Sequence, residues 1–179
     1  MGTSTGWTST PRTSRRSARR SWPTRPARAL GGQASFAGSL GTQVVKVFDL
    51  AVARTGLRDA EAAAAGHDPV TIGSEEFDHK AYYPGAHRLH LRITGDRSTG
   101  RLLGAQVVGD HRAQVAKRID IFAIALFHRM TLEVLGDLDL SYTPPFGSPW
   151  DAAQMAAQAW VRQVRGGQPT QAASHETRP

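Results

Sequence analysis

At 179 residues the chain can hold one ordinary domain with a real core, but not two nucleotide-binding domains with an interface domain beside them. The formal charge of +7 is concentrated in seven arginines (Arg12, Arg15, Arg16, Arg19, Arg20, Arg25, Arg28) ahead of Gln33, where no acidic residue occurs; the other 15 basic residues match the 15 acidic ones. There is no cysteine, which excludes disulfides, thiolate metal sites and a redox dithiol supplied by the chain itself, and no stretch approaches the roughly 20 apolar residues of a helical membrane span.

A formally neutral remainder offers no footprint for a phosphate backbone, so neither specific nucleic-acid binding nor membrane insertion is expected; any affinity in the arginine-rich arm would fall steeply with salt. Arg15-Arg16 is followed by Ser21-Trp22-Pro23-Thr24 rather than by the apolar segment of an export signal, which leaves a cytoplasmic location as the expectation.

Residues 1–32 are rich in Ser, Thr, Arg and Pro and nearly free of aliphatic side chains. Such a composition buries too little to offset its ordering entropy and predicts a disordered basic tail. An organelle transit peptide, a basic binding arm and a stretch without selected function compete as readings of it, and Pro11, Pro23 and Pro26 argue against the amphipathic helix of a transit peptide.

From Gly38 the pattern changes. Val44, Val45, Val47 and Phe48, continued by Leu50 to Leu57, read as two strands or one long bent strand. Arg58 to Ala65 reads as a short helix with Asp59 and Glu61 in its first turn and Gly66 as its stop, and Val70 to Ile72 as the next strand. His87 to Thr94 places Leu89, Leu91 and Ile93 on one face, Leu102 to Val108 is a further strand, and Gly95 to Gly100 is the hairpin loop between them.

Val115, Ile119, Phe122, Leu126 and Met130 recur at helical spacing, with Ala116, Ala123 and Ile124 widening the stripe, while Lys117, Arg118 and Asp120 fall on or near the polar side. Thr131 is placed to cap a short helix over Leu132 to Leu135 that ends at Gly136. Ser148 is read as the cap of a last helix running to about Arg165, with Pro149 first inside it and Asp151 at the acidic third position. Strands cluster in the middle and helices at the end, which predicts an α+β domain over residues 33–165, a mostly antiparallel sheet backed by helices, with a polar, disordered tail over 166–179.

Glycines at 31–32 and 38–41 lack the spacing of a phosphate-cradling loop. His87 and His90 point to opposite faces of a strand and cannot chelate together, so no metal site is expected. No serine sits in a Gly-x-Ser-x-Gly turn. The unusual segment is Ser141-Tyr142-Thr143-Pro144-Pro145-Phe146-Gly147-Ser148-Pro149-Trp150-Asp151, in which prolines hold aromatic side chains at little further entropic cost. Pattern alone leaves its aromatics divided between closing the core and meeting a partner.

Four ordered blocks carry a family resemblance: Gly41-Thr42-Gln43-Val44-Val45-Lys46-Val47-Phe48-Asp49-Leu50 with Ala53-Arg54-Thr55-Gly56-Leu57; Tyr82-Tyr83-Pro84-Gly85-Ala86; Lys117-Arg118-Ile119-Asp120-Ile121-Phe122-Ala123; and Asp137-Leu138-Asp139-Leu140-Ser141-Tyr142-Thr143-Pro144-Pro145-Phe146. In this order, over about Gly31 to Val164, the chain resembles the C-terminal dimerisation domain of FAD-dependent pyridine nucleotide-disulfide oxidoreductases such as coenzyme A-disulfide reductases, NADH oxidases and NADH peroxidases. The resemblance implies a homodimer whose C-terminal loop reaches the partner subunit's active site near the flavin. It matches Tyr142 to the tyrosine before the Pro-Pro pair and Tyr83, ahead of Tyr82, to the one in the Tyr-Pro-Gly turn, and it puts Pro144, Pro145 and Phe146 near the partner's flavin.

The same resemblance implies FAD and NAD(P)H as cofactors of a reaction that reduces a disulfide, oxygen or peroxide. The glycine fingerprints for both cofactors and the redox cysteine have no counterpart in this sequence, so the chain is expected to be a fragment inactive by itself. It would work as a homodimer or with a separately encoded flavin/nicotinamide domain, or else stand alone as an interaction module without redox activity. Pro26-Ala27-Arg28-Ala29-Leu30 reads as an altered remnant of the flavin-domain helix, and the arginine-rich tail ahead of it as out-of-frame translation or a mis-chosen start in a GC-rich gene.

Overall fold

The computed structural model describes residues 38–166, so the reading made for 1–32, the first five residues of the expected 33–165 domain and, beyond Gly166, the expected 166–179 tail lie outside the described residues. Five strands, β1 (Gln43–Val47), β2 (Leu50–Gly56), β3 (Pro69–Phe77), β4 (Arg88–Asp96) and β5 (Leu102–Asp110), form one sheet in the order β1-β2-β5-β4-β3, and every neighbouring pair is antiparallel. The helices are α1 (Asp59–Ala64), α2 (Val115–Phe127), α3 (Leu132–Gly136) and α4 (Ala152–Arg165).

The valine-rich start resolves into two strands because Phe48, at φ +51°, turns the chain into a hairpin before Leu50. Alternation then decides what is buried. Ala53, Val107 and Leu91 lie side by side across β2, β5 and β4, and Ala105, Ile93 and Ile72 across β5, β4 and β3, all of them buried. Helix α2 covers this face over β2 and β5, and α4 covers it over β3 and β4. Residues Ala152, Ala153, Ala156 and Ala157 bring α4 close to the sheet, and Trp160 fills the space beside them, its indole Nε1 donating to the Val70 carbonyl at 2.8 Å.

Several details depart from the sequence reading. Strand β3 runs on to Phe77 through Gly73, Ser74, Glu75 and Glu76, none of them strong strand formers, because it pairs with β4 along its whole length. Helix α2 ends at Phe127 rather than reaching Met130. Arg129 adopts φ +54°, its amide donates to the Leu126 carbonyl and the Met130 amide reaches back to Ala125, which closes a Schellman cap. Ile124 faces outward, and Arg118, expected on the polar side, is buried at 3 % exposure. Helix α4 is capped by Asp151 rather than Ser148: the Asp151 carboxylate accepts from the Ala153 amide, and Gln154 accepts from the Asp151 amide. The three residues from Ser148 to Trp150 belong to the preceding loop.

Two positions constrain the sheet tightly. A Cβ at Gly95 would lie 2.6 Å from Trp160 Cε2 and 2.5 Å from Leu132 Cδ1, at the point where β4 shifts register against β5. We expect Gly95→Ala to cost about 1–3 kcal/mol by overpacking, measured by denaturant unfolding, with the tryptophan emission of the folded state altered as the Trp160 ring is displaced.

Next to it, Asp96 organises the turn between β4 and β5. Its carboxylate accepts from the Ser98 amide at 2.9 Å, the Ser98 hydroxyl at 2.6 Å and the Thr99 amide at 3.3 Å, and lies 3.0 Å from His67 Nδ1. Burial acts to raise the Asp96 pKa, and the donors outweigh it, so the folded value lies below the ordinary one. A depressed folded pKa gives stability that is present above the unfolded value near 3.9 and is lost as pH falls through the folded value. Asp96→Ala should therefore cost about 1–3 kcal/mol at neutral pH and reduce the acid-induced loss of stability, read from unfolding midpoints between about pH 2 and 7.

Candidate functional site

Two long connections carry the aromatic residues singled out in the sequence. The first joins β3 to β4. Asp78 closes its base: the Asp78 amide donates to the His87 carbonyl at 3.0 Å, and the carboxylate accepts from the amides of His79 at 2.9 Å and His87 at 2.8 Å. Asp78 is buried, so these bonds replace the water it gives up. At the tip, the Tyr83 amide donates to the Lys80 carbonyl at 2.8 Å and Gly85 takes φ +84°, a conformation that favours glycine. The Tyr83 ring meets His79 edge-on with centroids 6.4 Å apart and is 42 % exposed, whereas Tyr82 points more fully into solvent.

The second connection joins α3 to α4. Gln154, buried in the first turn of α4, pins both ends of it: Nε2 donates to the carbonyls of Leu138 at 2.7 Å and Gly136 at 3.2 Å, and Oε1 accepts from the Asp151 amide at 2.9 Å. Within the loop, the amides of Phe146 and Gly147 both donate to the Thr143 carbonyl, closing a turn around Pro144 and Pro145. The aromatic side chains remain outside: Tyr142 is 41 % exposed, Phe146 71 % and Trp150 58 %. They do not close the core under α4.

Two clefts border the connections, and the connections face each other across the second. One, of about 350 Å³, is lined by Tyr142 and Phe146 together with Lys117, Arg118 and Ile121 of α2 and by Asp151. The other, of about 280 Å³, lies between His79, Lys80 and Ala81 of the first connection and Ser148, Pro149 and Trp150 of the second; Glu76 also lines it, its carboxyl pushed up by burial against the opposing charge of Arg162. Tyr142 and Phe146 therefore share a cleft, and Tyr83 stands beside its neighbour through His79. Pro144 and Pro145 are half-buried and line neither cleft.

Arg118, Asp78 and Gln154 build this arrangement, and sequence reading named none of them as site residues. Arg118 carried a usable signal: it lies three residues after Val115 and four before Phe122, on the buried face of α2. Asp78 and Gln154 carried none, because their partners are backbone groups of loops whose course the sequence does not give.

Among the described residues, no group of three or more His, Cys, Asp or Glu could hold a metal ion, and no helix is long and apolar enough to cross a membrane. The sheet is antiparallel throughout and offers no strand-glycine-helix unit at which a dinucleotide phosphate could sit, so the described residues do not by themselves fit FAD or a nicotinamide cofactor.

This fold, an antiparallel sheet backed on one face by helices with an aromatic loop left open, is matched by known proteins. The family model for the pyridine nucleotide-disulphide oxidoreductase dimerisation domain matches residues 42–153. The CoA-dependent NAD(P)H sulfur oxidoreductase of Pyrococcus abyssi is 37 % identical over 128 residues, 72 % of this chain and 28 % of that protein. The coenzyme A disulfide reductase of Staphylococcus haemolyticus is 35 % identical over 120 residues, 67 % of this chain and 26 % of that protein. Among solved structures, the NAD-dependent persulfide reductase from A. fulgidus superposes with a TM-score of 0.74 at 34 % identity, covering 78 % of this chain and 26 % of that one. The chain belongs to the pyridine nucleotide-disulphide oxidoreductase family and carries its dimerisation domain. The family uses FAD and NAD(P)H, and this chain spans just over a quarter of the length of these curated relatives.

Because Gln154 holds the start and end of the Tyr142 loop, Gln154→Ala leaves buried carbonyls unpaired and should cost about 1–3 kcal/mol. Limited proteolysis should then cut faster between residues 138 and 150 than anywhere in the sheet.

Proposed function

We propose that this domain pairs two copies of the chain and presents Tyr142 and Tyr83 to the redox site of the opposite subunit, with FAD and NAD(P)H held by protein outside residues 38–166. The observation that carries the reading is the apolar surface left uncovered on the Tyr142 loop and along α2. Phe146 and Trp150 of the loop and Ile124 and Phe127 of α2 are all more than half exposed, and Ile121 joins the helix stripe to the cleft. Exposed apolar surface of this kind, rimmed by Lys117 and Asp120, is the usual composition of a protein interface.

A phenol hydroxyl at the edge of a partly enclosed cleft can donate a hydrogen bond to charge developing on a sulfur or oxygen. Phe146, on the cleft wall, and the Pro144-Pro145 turn that fixes it would limit water access there. The names of the relatives, a sulfur oxidoreductase, a coenzyme A disulfide reductase and a persulfide reductase, support sulfur compounds such as coenzyme A disulfide as substrates of the intact enzyme, ahead of oxygen or peroxide. A cytoplasmic location without specific nucleic-acid or membrane partners belongs to the same reading.

A second reading, capture of a separately encoded flavin- and nicotinamide-binding domain, is favoured by a second apolar surface. Val45, Val47, Leu50 and Val52 lie exposed on β1 and β2, on the face of the sheet opposite the helices. Light scattering on the full chain distinguishes the two. A colourless homodimer that Ile124→Asp or Phe127→Asp converts to a monomer supports pairing through the Tyr142 face. A monomer that forms a stoichiometric yellow complex only with a flavoprotein lacking this domain supports capture, and a chain that is monomeric and binds no such protein removes both.

A further inference from the structure

Resting on the assignment of Tyr83 and Tyr142 to one site, we infer that Arg118 is a positioning residue that fixes the two tyrosine-bearing connections relative to each other. Three segments distant in sequence converge on its guanidinium. Nη1 donates to the Ala113 carbonyl at 2.9 Å, in the turn leading into α2. Nη2 donates to the carbonyl of Asp78, the residue that closes the base of the Tyr83 connection. The same nitrogen pairs with Asp151 Oδ2 at 3.2 Å, at the end of the Tyr142 connection.

Each partner is itself committed. Asp78 spends one carboxylate oxygen on the amides of His79 and His87, and Asp151 caps α4 through its other oxygen. Movement of either connection must therefore pass through Arg118 or break it. A buried arginine is a costly way to fill a helix position: an apolar side chain at the foot of α2 would serve packing as well or better. What the guanidinium adds is direction, because its planar fork holds donors at fixed angles to a carbonyl on one loop and a carboxylate on the other. Arg118 also lines the Tyr142 cleft, so the residue that bonds to both connections sits in the wall of the cleft that Tyr142 faces.

The full chain has no cysteine, so spin labels can be placed where chosen. Ala81→Cys and Ser141→Cys, both at exposed positions, report the distance between the connections; Leu50→Cys and His90→Cys, exposed on β2 and β4, report the sheet. Labelled chain is diluted into unlabelled chain so that only distances within one chain are read by pulsed dipolar spectroscopy. A single narrow distribution is expected for both pairs in the parent. Arg118→Met, which keeps most of the volume and removes the fork, should broaden the loop pair and leave the sheet pair unchanged. Asp151→Asn, which retains a helix cap but loses the ion pair, should broaden the loop pair as well and decides the matter if Arg118→Met does not fold.

A loop-pair distribution that stays narrow in both variants, even with a lowered melting temperature, would show that Arg118 merely supports the fold, and a loop pair already broad in the parent would overturn the inference equally. Neither result depends on whether the chain dimerises, which light scattering reads separately.

Discussion

The helices of this domain cover one face of its antiparallel sheet only, and that asymmetry organises the rest of it. Ala51 and Ala53 of β2, Leu89, Leu91 and Ile93 of β4 and Ala105 and Val107 of β5 point the same way, and the rows Ala53-Val107-Leu91 and Ala105-Ile93-Ile72 form a floor that needs a ceiling. Helices α2 and α4 supply it from separate ends of the sequence. The alanines of α4 permit close approach, Trp160 fills what they leave open, and Gly95 gives up a side chain so that the indole fits.

Once helices of fixed length lie on strands of fixed length, the connections between them gather at the ends. There the domain uses a different device. Asp78, Gln154 and Arg118 are polar and buried, and their side chains are bonded mainly to backbone carbonyls and amides of loops, the Asp78 carbonyl among them. Such bonds add little net stability compared with the apolar floor, but leaving one unmade is expensive, so each removes alternative loop conformations. The Tyr142 and Tyr83 connections are thereby held to a rigid body while their aromatic tips stay in solvent.

That combination, rigid anchorage and exposed aromatic tips, suits a surface meant to be completed by another protein. Ordered loops lose little further entropy on association, and the exposed isoleucine and phenylalanine side chains of α2 extend the apolar area beyond the loop. Membership of a family whose matched region is its dimerisation domain fits the same picture.

The α+β class, the β1–β2 hairpin region, the pairing of β4 with β5 and the amphipathic run of α2 were legible in the sequence because period-two and period-3.6 patterns are local properties of the chain. Tyr83 and Tyr142 were legible as candidates through the motifs around them. The full length of β3, the cap at Asp151 and the outward turn of Ile124 were not, since each depends on what a neighbouring element offers: a partner strand, a glutamine one turn on, or an uncovered flank. Arg118 shows the division most sharply. The sequence reading put it on or near the polar side, and it is buried because the Ala113 carbonyl just before α2 meets a carbonyl and a carboxylate from remote segments at that point. Local periodicity determined which surfaces had to be covered; only the folded arrangement decided which polar groups could be buried, because the bonds that hold them join loops whose meeting the sequence does not show.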